Sequence, residues 1–124
     1  MRLGIDTNIL VRALFDDGSS EVAWVNTLMR ENQIVISPTV LLETEWVLRD
    51  AYELGRNDVA KALEGLLGTT SVTILQRDAV VRAFGAFRDG CDFADAFHAA
   101  FTPGVEAFMT LDRKFARRAE TLGI

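Results

Sequence analysis

Four short apolar runs, Arg2 to Asp6, Ile34 to Ser37, Ser71 to Leu75 and Glu106 to Thr110, alternate with longer stretches of helical period. Strands separated by helix-length crossovers pair in parallel, so this rhythm predicts an α/β domain on a parallel sheet. No repeat, low-complexity tract or linker interrupts it. The 124 residues, 49% of them hydrophobic, are enough for one buried core, and a single domain over residues 1–124 is expected.

The intervening segments carry their own start and stop signals. Asn8 can cap a helix through Leu14, and Ser19 or Ser20 a second whose Val22, Val25, Leu28 and Met29 share a face. Ser37-Pro38, a cap followed by proline at the first helical position, opens a helix that carries Glu43 and runs to about Leu54, where Gly55 stops it. Asn57 or Asp58 starts another, closed by Gly68, and a further helix spans roughly Asp78 to Arg88. Asp92 reads as an N-cap with Asp95 at the capping-box position. Pro103-Gly104 ends that helix, and Arg113 to Leu122 forms the last one.

Four acids sit in apolar company: Asp6 after Leu3-Gly4-Ile5, Glu43 after Val40-Leu41-Leu42, Asp95 within Phe93-Ala94-Asp95-Ala96-Phe97, and Asp112 after Met109-Thr110-Leu111. Desolvating an uncompensated carboxylate costs several kcal/mol, so such a set implies a partner. In an open parallel sheet, ligands bind beyond the carboxyl ends of the strands, where Asp6 and Asp112 fall. Asp95 in a first helical turn and Glu43 in a second can reach the same edge. Converging carboxylates repel unless protonated or bridged by a cation. An all-oxygen set without thiolates favours Mg²⁺ or Mn²⁺ over zinc, and such ions usually act on phosphates.

Neighbouring residues admit plainer readings. Asp6 can cap the helix that follows it, and Asp92 is more readily a cap than a ligand. Glu45, two residues from Glu43, reads as a solvated glutamate, and His98 as a packed core residue. Trp24, Trp46, Phe84, Phe87 and Phe101 are core by default, with a dimer or partner surface as the alternative. Cys91, the one cysteine, forms no internal disulfide and fits a reducing compartment. No apolar run approaches a membrane span and no secretory signal opens the chain, so a cytoplasmic protein is expected. A net charge of −5 opposes non-specific phosphate binding. Arg113, Lys114, Arg117 and Arg118 offer the local positive charge an RNA backbone would need, a solvated helix face being the alternative.

The pieces Asp6-Thr7-Asn8-Ile9-Leu10-Val11-Arg12, Ser37-Pro38 through Leu42-Glu43 to Trp46-Val47-Leu48, Asp92-Phe93-Ala94-Asp95-Ala96 through Ala99-Ala100, and Thr110-Leu111-Asp112-Arg113 together resemble the PIN-domain family, most closely its VapC-type ribonuclease toxins. The resemblance covers nearly the whole chain. It implies a three-layer α/β/α fold with a parallel sheet of four to five strands, and catalysis by Asp6, Glu43, Asp95 and Asp112. It also implies a homodimer and a cognate antitoxin whose tail blocks the site. Two departures stand out: the Thr102-Pro103-Gly104-Val105 connection is short, and the sequence stops at Ile124 where relatives often add a fifth strand, which is then missing or a stub.

These readings converge on a Mg²⁺- or Mn²⁺-dependent endoribonuclease of a VapBC-type pair, acting on tRNA or ribosomal RNA. Asp6 and Asp95 bind metal, Asp112 and Glu43 complete the surroundings or orient water, and Thr7, Asn8, Asp92 and Thr110 support them. Attack by water leaves a 5′-phosphate and a 3′-hydroxyl. An aspartyl phosphatase would need an acid two residues after Asp6, where Asn8 stands. A receiver-like domain would need an acceptor aspartate directly after the third strand, but Leu75-Gln76-Arg77 follows it. A catalytically silent PIN-like binding module is the remaining alternative.

Overall fold

The computed structural model describes the backbone of residues 1–122 and the side chains of residues 1–120. Contacts divide the chain into two compact units, Met1–Leu75 and Gln76–Ile124. The first contains β1 (Arg2–Gly4), α1 (Thr7–Leu14), α2 (Glu21–Glu31), β2 (Gln33–Ile36), α3 (Pro38–Asp50), α4 (Arg56–Leu67) and β3 (Val72–Ile74). The second contains α5 (Arg77–Arg88), α6 (Phe93–Ala100) and α7 (Arg113–Leu122).

The three strands form one parallel sheet in the order β1-β2-β3, with Leu3 opposite Ile34 and Ile34 opposite Val72. Ile34 and Ile36, which share one face of the central strand, are fully buried, while Val35 on the opposite face is half-buried. Leu10, Leu41, Leu48 and Leu63 complete this core from α1, α3 and α4, each burial stabilising by about 1.5–3 kcal/mol. The α/β class and the parallel sheet agree with the sequence reading; among the described residues the ladder has three strands, where four to five are expected. Glu106–Thr110 joins no ladder among the described residues and is largely exposed; Phe108 packs edge-on to Phe115, ring centroids 6.4 Å apart, instead of filling a sheet face. Gly123 and Ile124, where a fifth-strand stub was expected, lie outside the described residues.

Several boundaries shift for local reasons. Asp6, not Asn8, caps α1: its extended backbone (φ −92, ψ 179) lets its carboxylate accept from the Ile9 amide at 3.1 Å, placing Asn8 inside the first turn. Ser37 caps α3 as expected, accepting from the Val40 amide ahead of Pro38. That helix ends at Asp50 rather than near Leu54, because Glu53 takes a left-handed conformation (φ 55) and the Leu54 amide folds back to the Leu48 carbonyl at 3.1 Å. Gly55 caps α4, earlier than Asn57 or Asp58, which leaves Asp58 in the first turn against the helix dipole.

In α3 the buried side is Leu41, Thr44, Glu45 and Leu48, a single stripe at helical spacing. Glu45 therefore faces the core, contrary to the solvated position expected, and its carboxylate accepts from Arg49 Nε at 2.8 Å. Trp24 and Trp46, expected in the core, are more than half exposed because their helices bury other faces. In the second unit Phe93 is the hub: Phe97 stacks on it at 4.5 Å and Phe87 meets it edge-on at 5.0 Å, joining α5 to α6. Cys91 is buried beside this cluster in sequence, as a small core residue.

Candidate functional site

The first unit presents two of the four acids. Asp6 follows the buried Ile5 at the carboxyl end of β1 and is exposed, with Oδ1 engaged by the Ile9 amide. Capping is thus a real function of Asp6, and it orients the carboxylate. Glu43 lies exposed in the second turn of α3 and accepts a hydrogen bond from the hydroxyl of Thr7, the nearly buried first residue of α1. That bond ties α1 to α3 and limits the rotamers open to Glu43. Asn8 gives its main-chain carbonyl to Arg12 Nη1 at 3.2 Å.

The second unit presents the other two. Asp92 caps α6, its carboxylate accepting from the Asp95 amide at 3.1 Å. Asp112 caps α7 in the same way, accepting from the Phe115 amide at 2.9 Å, while its own amide donates to the Thr110 hydroxyl at 3.0 Å. Asp95, half-buried, is held above the usual carboxylate range, first by desolvation and then by the like charges of Asp92 and Asp112; His98 partly opposes this. His98 is exposed rather than packed, because α6 buries Phe93, Ala96, Phe97 and Ala100 instead.

The structure therefore brings Glu43 to Thr7, and Asp95 into the field of Asp92 and Asp112. Among the described residues no three His, Cys, Asp or Glu side chains form a preassembled metal cage. The donor chemistry nevertheless fits a hard cation: oxygen donors only, with one carboxylate already penalised for its charge. Of the basic residues of α7, Arg113 and Lys114 are exposed, as is Arg117, whereas Arg118 donates to the Asp89 carbonyl at 2.7 Å. A cavity of about 490 Å³ in the second unit, lined by Ala99, Phe108, Phe115 and Ala119 with Glu106 and Glu120, contains none of the four acids.

The family model for the PIN domain matches residues 4–121. The chain belongs to the PIN-domain family. The curated proteins contain no match to it. PIN domains are generally nucleases that use divalent metal ions, so the fold of this PIN domain is of nuclease type. No helix among its described residues is long and apolar enough to cross a membrane. Sequence reasoning missed Glu45 and the Arg118–Asp89 contact. The first was detectable from the Leu41, Thr44, Glu45, Leu48 spacing and the Arg49 at i+4; the second joins residues 29 apart and leaves no periodic trace.

Proposed function

We propose that this PIN domain is a Mg²⁺- or Mn²⁺-dependent endoribonuclease of the cytoplasm, the toxin of a VapBC-type pair, with residues 1–124 acting as one nuclease domain. The observations that support the reading are the PIN-domain match over residues 4–121 and the placement of Asp95 in the field of Asp92 and Asp112, where burial and like charge hold its carboxyl above the usual range and a cation would offset the repulsion. Asp6 and Asp95 hold the ion, and Asp112 and Glu43 complete its surroundings or orient water. A bound divalent ion would supply a water of lowered pKa and charge neutralisation at a phosphodiester.

The chain's own residues then do the positioning. Thr7 keeps the Glu43 carboxylate in one orientation, Thr110 fixes the backbone of Asp112, and Asp92 fixes the first turn that carries Asp95. Asn8 supports the same turn of α1. Arg113, Lys114 and Arg117 attract the phosphates of a tRNA or ribosomal RNA against an overall charge of −5. A cognate antitoxin bearing arginine fits the anionic site, because a guanidinium forks onto paired carboxylates. The dimer rests on family likeness.

The test is cleavage of end-labelled total tRNA and ribosomal RNA by antitoxin-free protein with Mg²⁺, Mn²⁺ or EDTA, beside Asp95→Asn. Fragments with 5′-phosphates that vanish with EDTA and in the variant are expected. A 2′,3′-cyclic phosphate among the products, or cleavage that survives EDTA, refutes the mechanism. Absence of cleavage by folded, Mn²⁺-binding protein transfers the assignment to a binding module.

A further inference from the structure

Arg118 stands apart from the other cations of α7. Its Nη1 donates to the main-chain carbonyl of Asp89 at 2.7 Å, and Asp89 is the C-cap residue just after α5. A guanidinium there satisfies a terminal carbonyl and lies at the negative end of the helix dipole. The chain makes room for it at the next residue. Gly90 has φ +108, which side-chain-bearing residues rarely adopt, and a Cβ at Gly90 would collide with Arg118 Nη1 and lie 3.0 Å from its Cζ.

Both ends of this contact lead to acids. Two residues after Gly90, Asp92 caps α6, whose first turn carries Asp95. On the other side, Arg118 belongs to the helix that Asp112 caps. Asp92 and Asp112 each set a like charge beside Asp95, so the spacing between the starts of α6 and α7 bears on the charge there. A lysine could supply charge at this place, but only the planar fork of arginine combines several donors in a fixed plane over the glycine.

We propose that Arg118 is a positioning residue: by clamping α7 to the α5–α6 corner through the Asp89 carbonyl over Gly90, it fixes the spacing of Asp112 from Asp92 and Asp95 and thereby the affinity of these acids for a divalent cation. The metal consequence rests on the nuclease reading; the clamp itself does not. Arg118 then serves the fold instead of touching RNA phosphate.

The experiment uses the full chain with Arg118→Met, Arg118→Lys, Gly90→Ala and the Arg118→Met/Gly90→Ala double variant. Lys114→Met serves as the phosphate-contact comparator. Three quantities are read: amide hydrogen exchange of α7 without metal, Mn²⁺ affinity from the electron paramagnetic resonance of free Mn²⁺, and binding of a single-stranded RNA oligonucleotide in EDTA. Arg118→Met and Gly90→Ala should each speed exchange in α7 and weaken Mn²⁺ binding about tenfold, the usual scale for residues that orient metal ligands. The double variant should bind Mn²⁺ no more weakly than either single one, since both break the same contact. Arg118→Lys should recover part of the loss, and only Lys114→Met should weaken RNA binding. Unchanged α7 exchange in Arg118→Met overturns the clamp. Faster exchange with unchanged Mn²⁺ affinity overturns the positioning role, and RNA binding lost as strongly as in Lys114→Met reassigns Arg118 to phosphate. Wild-type protein that binds no Mn²⁺ while α7 exchange still depends on Arg118 overturns the nuclease reading and the metal consequence, and supports the clamp.

Discussion

Asp92 has two separable roles, and two substitutions divide them. Its Oδ2 accepts from the Asp95 amide at 3.1 Å, closing the first turn of α6, and its negative charge helps to hold the Asp95 carboxyl above the usual range. Asparagine is as good an N-cap as aspartate, so Asp92→Asn keeps the acceptor and deletes the charge; Asp92→Ala deletes both. The difference between the two variants isolates the capping bond, worth about 1 kcal/mol. For a chain of this length that corresponds to a melting temperature lower by about 3–5 °C in Asp92→Ala than in Asp92→Asn. Against wild type, Asp92→Asn loses an anion at a helix N-terminus, about 0.3–1 kcal/mol, but also relieves repulsion with Asp95, so its melting temperature should move little. Far-UV circular dichroism in EDTA at pH 7 measures the stabilities. A carboxyl-carbon NMR titration should show Asp95 moving down towards the ordinary aspartate value of 3.8 in both variants. Equal melting temperatures for the two variants would refute the capping argument, and an unmoved Asp95 titration would refute the electrostatic one.

Three further outcomes are expected. Because the Asp95 pKa is raised on folding, the native state binds more protons than the unfolded state, and wild-type stability falls as pH rises from about 3.8 through the folded-state value. Asp95→Asn should therefore be the more stable protein at pH 7 in EDTA, with the gap closing as pH is lowered in thermal melts; a gap that widens towards acid contradicts the assignment. Thr7→Val should lower kcat while leaving RNA affinity in EDTA unchanged, and Thr7→Ser should restore most of the rate, since the hydroxyl to Glu43 is what matters; equal rates for Val and Ser would remove Thr7 from the site. Arg49→Met leaves the buried Glu45 without its counter-charge and should cost about 1–3 kcal/mol in urea unfolding, the upper range being reduced because Arg49 is half exposed. Glu45→Gln should cost less than Arg49→Met, and the reverse order would count against the pair.

The positions of Asp6 after β1 and of Asp95 and Asp112 at helix starts are legible in the sequence because each lies at the boundary of an element, whereas Glu43 lies within α3. The Ser37-Pro38 and Asp92 starts were legible because capping is local chemistry. Glu45 was misjudged because its distance from Glu43 was weighed, whereas its membership in the Leu41–Leu48 stripe decides its burial. For Trp24 and Trp46 the sequence leaves core and partner surface open, because size suggests burial while helix phase determines it. The run Glu106–Thr110 has strand composition, yet composition specifies no neighbour, and a strand exists only when paired. Arg118 reads in the sequence as an RNA-phosphate contact or part of a solvated helix face, since nothing local distinguishes it from Arg113 or Lys114; the left-handed Gly90, 28 residues earlier, marks its place.

The exposed positions of Trp24 and Trp46 have a spectroscopic corollary. The only tyrosine, Tyr52, also falls before Leu75, so the segment from Gln76 onward contains no residue that emits on near-ultraviolet excitation beyond phenylalanine. Intrinsic fluorescence is thus a private reporter of the sheet-bearing unit, while far-ultraviolet dichroism sums helices from both. Superimposed denaturation curves from the two signals would mean that the units melt as one cooperative body; separated curves would give each its own midpoint without any label. Since both indoles already face water, a partner that covers them would reveal itself as a blue shift and as protection from acrylamide quenching.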